Sequence, residues 1–306
     1  NATMPGGSDK FRPKVGTPSG VDLTRTTWTL PKEAELADGV VRWNSIGHGP
    51  AVVLVHGTPY SSFLWRDVAP ALARAGRRVY VFDHLGYGQS DTQDGQDLTL
   101  AAQAHNFAEL LGHWKLDRPS VIACDIGGAI VLRALLLERA QYSDLFLFDA
   151  VTGGTWEHGL FGLIRQHHEV FGQLPAYAHE ALVTAHLRNG THADYRPGVL
   201  DAYLAPWLGA AGQAAFYRQY RQLSQSDTAD YEDLLATVDI PVTLAWGRED
   251  RILPAPHGEW IAARVPNRGL TWIDDAGHLL PEDAPAQLLE RIIAHLSSGS
   301  PPATTR

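Results

Sequence analysis

The chain reads as an α/β protein, a mostly parallel central sheet with helices on both faces and an inserted helical cap. Three observations lead there. Short apolar runs with the look of buried strands, at 51–55, 78–82 and 144–148, alternate with helical patterns. The run Val121-Ile122-Ala123-Cys124-Asp125-Ile126-Gly127-Gly128 is a strand that turns at once into an apolar helix. Residues 155–237 then break the alternation with helical patterns, little strand signal and six of the 14 histidines.

The elements follow in order. Residues 1–20 are polar and rich in Gly and Pro, and are expected to be disordered. A first core part, 21–154, opens with an antiparallel hairpin over 27–46. Ala51-Val52-Val53-Leu54-Val55 is a continuous apolar run ending at His56-Gly57, as a central parallel strand does. Trp65 to Ala75 has helical periodicity, and Arg78 to Phe82 is the next strand, followed by the glycine-rich turn Asp83-His84-Leu85-Gly86-Tyr87-Gly88-Gln89-Ser90. Leu98, Ala101, His105, Ala108 and Leu111 give 98–114 an apolar stripe at helical spacing. The strand and helix around Asp125 come next, then the strand 144–148. The cap spans 155–237. A second core part, 238–296, holds strands at 240–246 and 270–273 and a closing helix at 284–296. The Ser/Pro/Thr tail 297–306 is expected to be disordered.

Bulk properties narrow the function. A chain of 306 residues buries a large core. The net charge of −9, with acids spread along the chain, argues against nucleic acid as a partner. One cysteine, Cys124, excludes an intramolecular disulfide, and its place in a buried strand suits packing. No apolar run approaches the roughly 20 residues that span a bilayer, and the N-terminal stretch is unlike a signal peptide. A cytoplasmic protein with no membrane contact and no cofactor is expected. Homodimer formation stays open.

Asp125 carries the chemistry. A strand that turns sharply into a helix pushes its apex residue out over the sheet edge, and the small Gly127-Gly128 allow the close packing that such an elbow needs. A carboxylate at the apex attacks carbon and leaves an alkyl ester on the enzyme. Cleaving that ester requires a base for water and donors for an oxyanion. His278 follows the last strand and is the candidate base. Asp250, in Trp246-Gly247-Arg248-Glu249-Asp250, is the favoured acid to orient it. Asp149, at the end of the strand after the elbow helix, is the alternative. The backbone N–H groups of Thr58 and Ile126 are the candidate oxyanion hole. Each of these has a plain structural alternative: a loop histidine in water, a carboxylate bonding backbone amides, a Gly-x-Pro turn. The cap histidines, His167 and His168 among them, lack partners at metal-ligand spacing, so no metal is expected and solvated cap positions are the simpler reading.

His56-Gly57-Thr58-Pro59, then Asp83, Gly86, Gly88 and Ser90, then elbow, acid and histidine in that order resemble the α/β-hydrolase fold over roughly residues 30 to 296. With aspartate at the elbow, the chain is similar to the epoxide hydrolases and to the haloalkane and haloacetate dehalogenases. The resemblance implies a small, largely apolar substrate and two leaving groups to decide between. Dehalogenases of this kind place a tryptophan or an arginine directly after the nucleophile. Here that residue is Ile126, although Trp156 or Trp207 could supply a halide donor. Epoxide hydrolases use cap tyrosines as acids. Tyr217, in Phe216-Tyr217-Arg218, is the better match and Tyr177 the second, with Tyr203 and Tyr220 in reserve; a helical tyrosine that merely packs cap to core is the structural alternative for each. Epoxide opening to a diol is therefore expected, with dehalogenation as the alternative. A non-hydrolytic ligand-binding or biosynthetic protein on the same fold is a second alternative.

Overall fold

The computed structural model describes residues 28–298. The predicted N-terminal segment 1–20 and residues 299–306 of the tail lie outside the described residues.

Eight strands form one sheet in the order β1-β2-β4-β3-β5-β6-β7-β8. β1 (Lys32–Leu36) and β2 (Gly39–Ile46) make the predicted hairpin, and β2 also runs antiparallel to β4 (Arg78–Phe82). From β4 onward every pairing is parallel, through β3 (Ala51–Val55), β5 (Ser120–Asp125), β6 (Asp144–Ala150), β7 (Val242–Gly247) and β8 (Leu270–Ile273). Every residue of β5 and β6 is buried, which explains why both read as apolar runs without alternation. Burying a large aliphatic or aromatic side chain is worth about 1.5–3 kcal/mol, so these central strands anchor the fold.

Core helices α1 (Val68–Arg74), α2 (Leu100–His113) and α3 (Ile126–Leu136) follow β3, β4 and β5. Thr99 caps α2, its side chain accepting from the Ala102 N–H, which begins the helix two residues after the predicted start. Trp65 closes a short 3₁₀ turn, Ser62–Trp65, ahead of α1 instead of starting that helix.

The chain between β6 and β7 is helical: α4 (Gly159–Gly172), α5 (Ala176–Asn189), α6 (Val199–Leu204), α7 (Gly209–Gln222) and α8 (Ser226–Ala229). α4 packs along α7, and α5 touches both α6 and α7. These helices lie over the C-terminal edge of the sheet. Beyond β7 come α9 (Ala255–Ala262), α10 (Leu280–Asp283) and α11 (Pro285–Ser298). The first two had no counterpart in the sequence reading. α11 also corrects the tail boundary: Ser297 and Ser298 continue the helix rather than beginning a disordered segment. Among the described residues no helix is long and apolar enough to cross a membrane.

Candidate active site

The strand ends converge at one point under the cap. Asp125 terminates β5 with φ +48° and opens α3, so its carboxylate projects beyond the sheet edge. A non-glycine residue at positive φ is strained and is held only by dense surroundings. Those surroundings are visible: a Cβ on Gly127 would lie 2.8 Å from the carbonyl oxygens of Val55 and His56, and one on Gly128 2.6 Å from the Cβ of Ala150. Two glycines are therefore required for α3 to start this close to β3 and β6.

His278 sits in the loop after β8, with Nε2 3.2 Å from Asp125 Oδ2 and Nδ1 2.9 Å from Asp250 Oδ2. The other Asp250 oxygen accepts from the Ile252 and Leu253 N–H groups, both at 2.8 Å, which fixes its carboxylate plane. Burial works against a charge on His278. Asp250 and Asp125 together outweigh it and raise the imidazole well above its ordinary value of 6.5. The loop itself is pinned from below by Asp283, which accepts from the N–H groups of Gly277 (2.8 Å) and His192 (2.7 Å).

Asp149 is buried nearby but turned elsewhere. Its Oδ1 accepts from the Gly247 N–H at 2.7 Å, its Oδ2 has no partner, and Nδ1 of His278 faces Asp250. Burial, and then the Asp250 charge, push the Asp149 carboxyl well above the usual carboxylate range. It braces the start of the β7–α9 loop that carries Asp250.

On the opposite side, the Thr58 N–H donates to Asp125 Oδ1 at 2.6 Å. The Thr58 hydroxyl donates to Gln219 Oε1 (2.7 Å), which also accepts from Tyr87 (2.5 Å), so cap helix α7 holds the Thr58 segment in place. The Asp83–Ser90 turn supports it: Asp83 accepts from the Ser62 and Gln89 N–H groups, each at 2.7 Å. Ile126 follows Asp125 at the first position of α3, and it too borders the cavity.

A cavity of about 210 Å³ lies above Asp125. Thr58, Ile126, Val151 and Leu253 line it, with Trp156, Phe161, His186 and Tyr220 from the cap. The Tyr220 hydroxyl lies 2.7 Å from His186 Nε2. Enclosure by protein lowers the imidazole of His186 to about 4; such surface as it retains faces the cavity. Burial, and then the Asp125 charge, raise the Tyr220 phenol well above its usual 10.

Several cap residues stand elsewhere than the sequence suggested. Tyr217 is not at the cavity. Its hydroxyl lies 2.9 Å from Nδ1 of His179, whose Nε2 is 2.8 Å from the Trp207 carbonyl oxygen. Because Nε2 must donate to that carbonyl, Nδ1 accepts and the Tyr217 proton is committed. Tyr177 is 77% exposed on the outer face of α5, so it cannot reach Asp125. Tyr203 bonds Glu282 at 2.6 Å beside the Arg66–Glu282 ion pair, clamping α6 to the core. The two tryptophans weighed as halide donors are spent, Trp156 Nε1 on Thr228 Oγ1 (2.9 Å) and Trp207 Nε1 on the Pro59 carbonyl (2.8 Å). His179 and His186 are not solvated cap positions. Their seven-residue separation, on the stripe of Val183 and Leu187, was the available signal.

This arrangement is matched by a family model, alpha/beta hydrolase fold, over residues 50–285. The chain belongs to the α/β-hydrolase fold family. Its relatives include Haloalkane dehalogenase 2 of Mycobacterium tuberculosis, 28% identical over 291 residues, covering 89% of this chain and 98% of that protein. An alpha/beta hydrolase fold protein from Burkholderia ambifaria has a solved structure 43% identical, with a TM-score of 0.83 over 87% of this chain and 97% of that one. The epoxide hydrolase CorEH, 22% identical with a TM-score of 0.69 over 87% of this chain and 98% of that one, shares the fold. Within that family, the chain is similar to a dehalogenase along nearly its whole length, in keeping with the resemblance that its aspartate elbow carries.

Proposed function

We propose that this chain is an epoxide hydrolase that works through a covalent ester on Asp125. The observation that carries the choice is the Tyr220–His186 pair on the cavity wall facing Asp125, in a cap whose two candidate indole donors are already engaged. A departing alkoxide needs a proton, whereas a departing halide needs only N–H donors.

Asp125 Oδ2 attacks an epoxide carbon, the carbon–oxygen bond breaks, and the alkoxide takes the Tyr220 proton. A neutral His186 suits this role, because its Nε2–H can donate to the Tyr220 oxygen while leaving the phenol O–H aimed at the substrate. The same bond then stabilises the tyrosinate. Alkylation neutralises Asp125, one of the two carboxylates that hold the proton on His278. His278 then gives that proton to bulk water and, now neutral, takes one from the attacking water as the oxygen adds to Cγ of Asp125; it regains a solvent proton when the Asp125 carboxylate is restored. The Thr58 and Ile126 N–H groups receive the oxyanion. Collapse expels the ester oxygen with one water proton as the second hydroxyl, and the remaining proton returns to Tyr220. The balance is epoxide plus water giving diol.

Halide displacement by the same nucleophile is the second reading, favoured by the dehalogenase relative. A mixed panel of epoxides and haloalkanes separates the two. Diol without halide release, lowered about 10²–10³-fold by Tyr220→Phe, supports the epoxide reading. Free halide released at an unchanged rate by Tyr220→Phe overturns it.

A further inference from the structure

We propose that Arg251 receives a carboxylate, so that the substrate is an epoxide joined to a short apolar chain ending in an anion. This inference rests on the epoxide reading above and adds the substrate class.

Arg251 directly follows the acid Asp250, and its backbone is held because Asp250 Oδ1 accepts from the next two N–H groups. Its Nη2 donates to the Thr191 carbonyl at 2.6 Å, which fixes the guanidinium across the gap between core loop and cap. Arg251 forms no ion pair among the described residues, so Nε and Nη1 keep their donors for a ligand. Among the described residues it is the one guanidinium bordering the cavity, and Asp125 is the one carboxylate there.

Those two charges are opposite, and they orient a substrate. An anionic head is repelled by Asp125 and attracted to Arg251, which turns the uncharged epoxide end inward to the nucleophile. The size of the space agrees. At about 210 Å³ the cavity falls below the roughly 300–1,000 Å³ typical of ligand pockets, so it suits a small reacting segment. Arg251 also borders a second cleft, of about 600 Å³, whose other lining residues lie in the cap between 188 and 201. That cleft is lined by Arg188 and Arg196 among others, and by the acids Asp194 and Asp201; Arg196 is paired with Asp67 and Glu282. The anionic end therefore sits where cavity and cleft share Arg251, open to water.

The test is calorimetric binding of hexanoate and hexanamide, which differ in the charged end and do not react. Wild type is expected to bind hexanoate about tenfold more tightly than hexanamide, the scale of one charge-assisted hydrogen-bonded contact at a rim. Arg251→Gln should bring the ratio to within about twofold, and Arg251→Lys should restore part of it, since it keeps the charge and loses the fork. A structural role alone would move both affinities together and leave the ratio unchanged. Equal affinities in the wild type, no hexanoate binding, or a preference that survives Arg251→Gln overturns the assignment. Failure of the epoxide reading shows separately, as no ester on Asp125 when His278→Gln protein is incubated with any epoxide, neutral or anionic.

Discussion

The core and the cap present their polar groups by different rules. In the core, the candidate catalytic groups sit at the ends of parallel strands, and the sheet order brings Asp125 at the end of β5, Asp250 after β7 and His278 after β8 to one edge. In the cap, function depends on which side of a helix faces inward. Tyr217 and Tyr220 are three residues apart on α7, both buried, yet one bonds His179 within the cap and the other bonds His186 at the cavity. Core chemistry is thus set by topology, and cap chemistry by packing.

Mutations can break this contrast in descending order of effect. Asp125→Ala should abolish turnover, a loss of about 10⁴-fold or more, because a triad residue has no substitute. The two strand-end carboxylates sharpen the core half. Asp250→Asn should cost about 10³–10⁴-fold in the rate of ester hydrolysis, as expected when a histidine loses its orienting acid. Asp149→Asn should change that rate far less, since burial already favours its protonated form and it bonds Gly247 rather than His278. Pre-steady-state kinetics on both variants checks this, and a larger loss from Asp149→Asn would reverse the assignment of the acid.

The cap half is sharpened by its tyrosines. Tyr220→Phe should slow ester formation about 10²-fold or more, while Tyr217→Phe should alter it within about threefold and instead cost about 1 kcal/mol of stability for the lost hydrogen bond. Single-turnover rates and denaturant unfolding on the pair separate the roles.

A pH dependence of stability, rather than of rate, is the last expectation. His186 is lowered to about 4 in the fold, against an unfolded value of 6.5. The folded state therefore binds fewer protons than the unfolded state between these values. The stability tied to the neutral ring is present above pH 6.5 and falls as pH drops toward 4. An NMR titration of His186 should show no change from pH 8 to 5.5, and a midpoint near 6.5 would deny that the ring is enclosed.

The same contrast explains what the sequence made legible. β3 and β4 end where their apolar runs end, because a strand buried on both faces needs apolar residues throughout. Asp125 stood out because Gly127 and Gly128 follow it, and a strand-to-helix turn of this kind is a local event. The choice between Asp250 and Asp149 was not local, since it depends on how the β7–α9 loop closes onto His278. In the cap, Tyr217 matched a motif position, but the pairing of α4, α5 and α7 decides which tyrosine reaches the cavity. His186 was hidden for the same reason: a histidine on a helix shows its stripe, not what covers it. Arg251 lies in a loop without periodicity, and only the Thr191 carbonyl on the cap reveals where it points.

A single-turnover reaction in water enriched in heavy oxygen tests the central claim most directly. If Asp125 forms an ester that water cleaves at Cγ, a substrate that the enzyme consumes should leave heavy oxygen in the peptide bearing Asp125 and unlabelled oxygen in the first-turnover diol. Label found in the product alone, with none in that peptide, would mean that water attacks the substrate directly and would contradict the account.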